Sequence, residues 1–250
     1  MVELFLLAIL VIAVLLILLV LFYFIWFLRK PKLNLTGNDS NNNGNNFVLS
    51  PADGKIIEII KYDKQTEKVN KGGFGKIIAV TKDVSDSGYI VCIAMNIFNV
   101  HYQISPINGV IKNINYVKGK FRNIFVDLVG LRFINNERNE ILIESTGGKR
   151  NKKQKKFNVK VVQIAGLVAR RIHCFVKPEQ TLKLAQVLGV IKLGSMVLLI
   201  FPNDFNLAVK EGVKVKLGDT IAVVDKTKIN KVNNIKKINK NRKTMKGKKK

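Results

Sequence analysis

Residues that build disulfide frameworks and metal centres are scarce in this chain, which has two cysteines and two histidines among 250 residues. Cys92 and Cys174 sit in separate strand-like apolar runs without metal-ligand spacing, so a disulfide scaffold and a cysteine-based zinc site are both excluded. They read as buried thiols in a reducing compartment, and no metal site is expected. Acidic residues are also few, 17 against 43 Lys and Arg, which leaves a net charge of +26. Much of that excess is terminal: Lys226 to Lys250 holds eleven Lys, one Arg and no acid. No aromatic residue interleaves this tail and no helix-turn-helix or RNA-binding signature accompanies it, which argues against nucleic acid as a partner. The tail, which lacks periodicity, reads as disordered. With a second basic cluster from Lys149 to Lys156, it reads as solvated charge drawn to anionic lipid.

A basic leader and a small-residue cleavage site are missing from the N-terminus, which argues against a cleaved signal peptide. What is there is an uncharged apolar run from Leu4 to Leu28, longer as a helix than the ~30 Å hydrocarbon core of a bilayer. Tyr23 and Trp26 lie near its end, and Arg29, Lys30 and Lys32 follow. This is the pattern of a single-pass anchor whose positive flank puts the following domain on the cytosolic side. The expected organisation is an anchor over 1–32, an Asn-rich linker over 33–46, a β catalytic domain over 47–225 and a basic tail over 226–250.

The body alternates short Val/Ile-rich runs with Gly, Asn, Asp and Lys clusters. Strands are expected at Lys55–Ile60, Lys76–Thr81, Tyr89–Met95, Gly109–Tyr116, Ile141–Ser145 and Asn158–Ala165, with a turn of helix within Asn123–Leu131. An internal echo relates Val176, Leu182, Leu188 and Ile191 to Val209, Val215, Ile221 and Val224 at a constant offset. These features predict a mainly β, barrel-sandwich-like domain with lipoyl-type hairpin repeats. Gly194 and Ser195 would fall on the connection between the two copies.

Three segments carry the chemistry. Ser50-Pro51-Ala52-Asp53-Gly54-Lys55 offers a carboxylate, Asn99-Val100-His101-Tyr102 a base, and Leu193-Gly194-Ser195-Met196 a hydroxyl. A serine is a weak nucleophile until a base removes its proton, and a carboxylate can orient that base and fix its tautomer. Gly194 lacks a Cβ, so a hydroxyl can approach its carbonyl closely. Each residue alone has a plainer reading, a turn for Asp-Gly and Gly-Ser and a structural group for a single His. Their joint order favours catalysis. His173, in a strand-like run outside these segments, reads as structural. Arg170 and Arg171 are candidates to hold a phosphate or carboxylate through paired donors.

Together these segments resemble the phosphatidylserine decarboxylase family. Phe98-Asn99-Val100-His101 followed by Ser105-Pro106-Ile107-Asn108-Gly109 is similar to its histidine motif. Asn136-Glu137-Arg138-Asn139 and Gln163 to Ile172 are similar to stretches of its short branch. The likeness spans about Phe47 to Val224. Met196 stands where Thr or Arg is common, and Tyr102-Gln103 where a Val-Asn pair is common; neither removes a reacting group. The resemblance implies a proenzyme that cuts itself between Gly194 and Ser195 and converts Ser195 to a pyruvoyl cofactor. It then implies decarboxylation of phosphatidylserine to phosphatidylethanolamine through a substrate Schiff base. The implied partners are a phospholipid substrate, an anionic membrane surface and the two self-cleaved chains on each other, with a homo-oligomer left open. An inactive homologue and a non-enzymatic membrane-anchored lipoyl-like adaptor are the other readings. The adaptor expects long heptad helices between its hairpin halves, and the sequence has none.

Overall fold

The computed structural model of the chain describes residues 1–31, 46–63, 74–120, 134–146, 156–166, 171–192 and 195–225. Nearly all of the Asn-rich linker, the Asn123–Leu131 turn, nearly all of the basic cluster at 149–156, Arg170, Gly194 and the tail lie outside the described residues. Helix α1 spans Val2–Leu21 and runs into a π-helical turn, Phe22–Phe27. This apolar stretch is long enough to cross a membrane, and α1 buries none of its side chains in the rest of the protein. In the π turn the Leu28 amide donates to the Tyr23 carbonyl at 3.1 Å, one residue further back than in an α-helix. The wider turn re-phases the chain at the point where Phe27 becomes fully buried.

The rest is mainly β, as the spacing of the apolar runs predicts. The strands are β1 (Phe47–Leu49), β2 (Gly54–Asp63), β3 (Ser87–Met95), β4 (Tyr102–Ile104), β5 (Gly109–Val117), β6 (Arg138–Ser145) and β7 (Asn158–Ala165). They continue with β8 (Arg171–Cys174), β9 (Thr181–Leu182), β10 (Val187–Lys192), β11 (Ser195–Pro202), β12 (Phe205–Leu207), β13 (Lys214–Val215) and β14 (Thr220–Val224). Eight of them form a curled sheet in the order β13-β2-β3-β11-β7-β6-β5-β9, flanked by the three-stranded sheets β1-β14-β12 and β4-β10-β8.

Reading the large sheet from either end gives the same pattern of partners, because the fold is an internal duplicate. The echo between residues 176–191 and 209–224 is one part of it. The other is Ser50-Pro51-Ala52-Asp53-Gly54 against Ser105-Pro106-Ile107-Asn108-Gly109. Gly54 pairs with Val215 as Gly109 pairs with Leu182. Ser50 Oγ donates to the Ala52 carbonyl and Ser105 Oγ to the Ile107 carbonyl, both at 2.7 Å. The two segments also clasp each other: the Leu49 amide donates to the Pro106 carbonyl and the Ile104 amide to the Pro51 carbonyl, both at 3.0 Å.

Central strand β11 is buried on both faces, and its alternation sorts the two cores. Val197, Leu199 and Phe201 join Val91, Ile93, Met95 and Val161 inside the curl. Met196, Leu198 and Ile200 join Ile90, Cys92, Val162 and Ile164 on the outer face. That face is covered by helix α2, Phe74–Thr81, in the segment where a strand was expected from Lys76 to Thr81. Ile77 and Val80, three residues apart, pack onto the outer core, and Thr81 Oγ1 donates back to the Ile77 carbonyl at 2.8 Å. A cover for an already complete sheet needs one apolar stripe, which a helix supplies. Expectation also fails at Cys174, which is exposed, whereas Cys92 is buried with its thiol pKa raised by loss of water.

The duplicated turns before β9 and β13 differ in the residue that takes the left-handed conformation. Glu179 adopts φ 66° where the other copy has Gly212 at φ 84°. A side chain in the left-handed region costs ~1–2 kcal/mol, against a smaller entropic penalty for glycine in the unfolded chain. Glu179→Gly is therefore expected to stabilise the fold by about 0.5–1 kcal/mol. Thermal denaturation would measure it, and a lower melting temperature would contradict the argument.

Candidate active site

Asp53 stands at the entrance to β2, and the glycine after it allows the strand to press on β3. A Cβ at Gly54 would collide with the Ala94 carbonyl oxygen. The close approach brings the Asp53 carboxylate onto the turn that follows β3. Its Oδ1 accepts from Asn99 Nδ2 at 3.1 Å and its Oδ2 from the Val100 amide at 2.9 Å. The turn is laced internally as well, the Asn96 amide donating to Asn99 Oδ1 at 2.8 Å. His101 is the next residue.

The His101 ring is fully buried, with Nδ1 2.9 Å from the Asn99 carbonyl oxygen. A carbonyl only accepts, so Nδ1 carries the proton, and in the neutral ring Nε2 is a bare lone pair. Nε2 has no hydrogen-bond partner among the described residues. Sequence reasoning gave the tautomer to Asp53; in the structure the Asn99 carbonyl sets it. Asp53 holds the turn that presents the carbonyl. The imidazole pKa falls from 6.5 to about 4, chiefly through desolvation. The Asn99 hydrogen bond acts the other way, and the positive charge of Arg29 lowers it further.

Two contacts come from the end of the apolar helix. Phe27 lies over the imidazole with ring centroids 3.9 Å apart and a tilt of 35°. Arg29 donates through its two terminal nitrogens to the Trp26 and Phe98 carbonyls, both at 2.7 Å. Neither contact was foreseen, since Phe27 is one more aromatic residue in an apolar run.

The backbone of Ser195 begins β11, opposite Met95 on β3 and Ala165 on β7. The turn carrying His101 grows out of the Met95 end of β3. The His101 carbonyl accepts from the Ile191 amide on β10 at 3.1 Å, four residues before the serine. Asp53, His101 and Ser195 thus belong to one end of the large sheet. Gln103 donates to the same His101 carbonyl at 2.7 Å and accepts from Gln163 Nε2 at 2.6 Å. Gln163 in turn accepts from Asn139 at 2.9 Å. All three amides are buried. They were missed as site residues, although Gln163, a polar residue between Val162 and Ile164 in a strand, was a visible irregularity. Asn136 Nδ2 holds the Ala165 carbonyl at 3.0 Å, beside the serine's strand position.

Arg171 is exposed at the start of edge strand β8, opposite Lys192. His173 is exposed on the same strand and pairs with Val190, away from the buried ring. A cavity of about 470 Å³ lies at the other end of the sheet, lined by Ser87, Lys156, Asn158 and Pro202 among others, and contains none of the proposed reacting groups.

The family described as phosphatidylserine decarboxylase matches residues 20–223. A protein of Methanocaldococcus jannaschii named as an archaetidylserine decarboxylase proenzyme is 35% identical over 202 residues, covering 81% of this chain and 89% of its own. A phosphatidylserine decarboxylase proenzyme of Syntrophus aciditrophicus is 31% identical over 198 residues, covering 78% and 76%. One of Wolbachia sp. subsp. Brugia malayi is 35% identical over 198 residues, covering 78% and 73%. The chain belongs to the phosphatidylserine decarboxylase family, a family of carboxy-lyases.

The packing of Phe27 on His101 has a measurable consequence. In Phe27→Ala water reaches the ring, and the imidazole pKa is expected to rise from about 4 toward 6.5. In the parent protein the folded state takes up this proton less readily than the unfolded chain. Stability therefore falls as the pH drops from about 6.5 to about 4, and the variant narrows that window. Histidine NMR titration in micelles would measure the shift. An unchanged pKa would show that Phe27 does not keep the ring dry.

Proposed function

From membership of this family we propose that the protein decarboxylates phosphatidylserine to phosphatidylethanolamine, using a pyruvoyl group made from its own Ser195. The observation that carries the reading is the neutral, buried His101, whose Nε2, without a partner among the described residues, belongs to the same sheet end as Ser195. Such a nitrogen suits a base that takes a proton inside a dry site.

In the proposed self-cleavage His101 Nε2 accepts the Ser195 hydroxyl proton and the oxygen attacks the Gly194 carbonyl. The peptide C–N bond breaks, the serine nitrogen takes a proton, and an ester links Gly194 to the Ser195 oxygen. Removal of the Ser195 α-proton expels the Gly194 carboxylate and leaves dehydroalanine, whose hydrolysis releases ammonia and leaves the pyruvoyl ketone. The residues fit that group: position 195 opens a central strand, and the imidazole at the same sheet end is held by the Asn99 carbonyl and kept from water.

The pyruvoyl group supplies an electron sink for the pair left by the departing carboxylate. The chain's own residues bind, orient and move protons. His101 holds or returns a proton, neutral at pH 7 because of its burial. Asp53 is a positioning residue that fixes the Asn99–Val100 turn, and Gln103 with Gln163 pins the His101 carbonyl. Arg171, and Arg170 beside it in sequence, are proposed to hold the head-group phosphate or carboxylate. The apolar stretch Val2–Phe27 is proposed as a single-pass anchor, with the cationic flank after it on the cytosolic side. The archaetidylserine and phosphatidylserine relatives share a serine head group, which supports that moiety as the feature recognised.

Intact-mass measurement is expected to show two chains divided between Gly194 and Ser195, the smaller with a pyruvoyl terminus. Ser195→Ala is expected to remain one chain without activity. His101→Ala should slow cleavage by about 10²–10⁴. Asp53→Asn, which keeps one acceptor oxygen, should slow it less. A single full-length chain in the parent, or normal processing in His101→Ala, would overturn the assignment.

A further inference from the structure

The turn that delivers His101 is apolar on its outside. Ile97 and Phe98 are 47% and 60% exposed, and Phe175, just after β8, is 55% exposed. Large apolar side chains exposed to this degree are uncommon on this β domain. These three lie next to the proposed site: Phe98 is on the turn clamped by Asp53, and Phe175 contacts the ring of Tyr102, the residue after His101, at 6.3 Å.

The depth of this rim can be read from the apolar helix. Phe98 meets Phe22 of the π turn edge to face, at 6.4 Å and 80°. Its carbonyl accepts from Arg29, whose guanidinium sits 4.8 Å from the centre of the Trp26 ring. Aromatic rings and the first cations after a membrane span collect at head-group level. A residue whose ring touches the last aromatic turn and whose carbonyl holds the first arginine is kept at that level by contact. Arg29, Lys30, Arg171 and Lys177 supply positive charge around it, as a surface facing lipid phosphates requires.

We propose that Ile97, Phe98 and Phe175 form a rim that enters the interfacial layer of the bilayer crossed by Val2–Phe27, placing the entrance to the His101 site among the lipid head groups. The inference rests on the anchor reading of that stretch. The occupant is a phospholipid bilayer, because the rim continues an apolar helix that none of the described residues covers. A lipid head group then reaches His101 by moving along the membrane, with its acyl or alkyl chains still in the hydrocarbon. The apolar rim serves the lipid rather than a water-soluble amino acid, whose approach it does not assist.

The chain has a single tryptophan, Trp26, which makes the test direct. The full-length protein is placed in vesicles of phosphatidylcholine and phosphatidylglycerol containing brominated acyl chains. Native Trp26 reports the anchor. In a Trp26→Phe background, Phe98→Trp, Ile97→Trp and Phe175→Trp report the rim. Lys61→Trp, exposed and opposite Tyr89 toward the other end of β2, reports the far side. Circular dichroism checks that each variant folds, and having two reporters on one turn keeps the test available if one fails.

The expected result is bromolipid quenching at the rim several-fold stronger than at Lys61→Trp, with weak quenching of the rim by aqueous iodide. Quenching of Trp26 together with iodide-accessible, lipid-insensitive rim positions would overturn the rim and leave the anchor. Absence of quenching at Trp26 would overturn both. Equal quenching at the rim and at Lys61→Trp would overturn a specific rim. None of these readouts depends on decarboxylation, so failure of the proposed reaction is seen separately, in the mass of the chains.

Discussion

An imidazole buried with only one of its nitrogens hydrogen-bonded among the described residues is the constraint around which the candidate active-site end is built. Among the described residues Nε2 of His101 has no partner, and a buried polar atom in that position costs ~1–3 kcal/mol in lost solvation. The surrounding contacts keep that geometry from relaxing. The Asn99 carbonyl holds Nδ1, Gln103 and the Ile191 amide hold the main-chain oxygen, and Phe27 closes the ring's face. The Asp53 carboxylate acts one step away, on the two residues that aim the carbonyl.

Much of this was legible because the decisive residues are close in sequence to the turns that place them. Asp53 precedes a glycine that must lie against a neighbouring strand, and His101 follows an Asn-rich turn, so both motifs encode their own geometry. The role assigned to Asp53 failed because an acid and a base in a sequence suggest a direct pair, whereas the Asn99–Val100 peptide group stands between them here. Helix α2 was unreadable for a different reason. Lys76-Ile77-Ile78-Ala79-Val80 has the β-branched content of a strand, and only the outer face of the sheet awaiting a cover decides otherwise. The contact of Phe27 was hidden because a membrane-like run does not reveal which of its aromatic rings turns inward.

Duplication explains how such a site arose within a plain β framework. Asp53 and Asn108 occupy matching places in the two Ser-Pro segments. Asn108 Oδ1 accepts from the Leu184 amide at 2.6 Å, tying the entrance of β5 to the connection between β9 and β10. Asp53 reaches instead to the turn before His101. One half keeps a structural capping bond where the other carries a charge beside the site. The mutual clasp between Leu49 and Pro106 and between Ile104 and Pro51 keeps the halves in register while their side chains differ.

Strand β11 begins at Ser195 and is bonded along its length to β3 on one side and β7 on the other. After it, β12 and β14 pair with each other, β14 pairs also with β1, and β13 pairs with β2. Severing the link before Ser195 would therefore free no folding unit. The piece released is the keystone of an arch whose other stones all come from the first piece, and neither has a complete core without the other. Two polypeptides born in one translation event would remain a permanent one-to-one couple, with no exchange of partners between molecules. Stoichiometry, which separately encoded subunits must achieve by matched expression, would then be a property of topology.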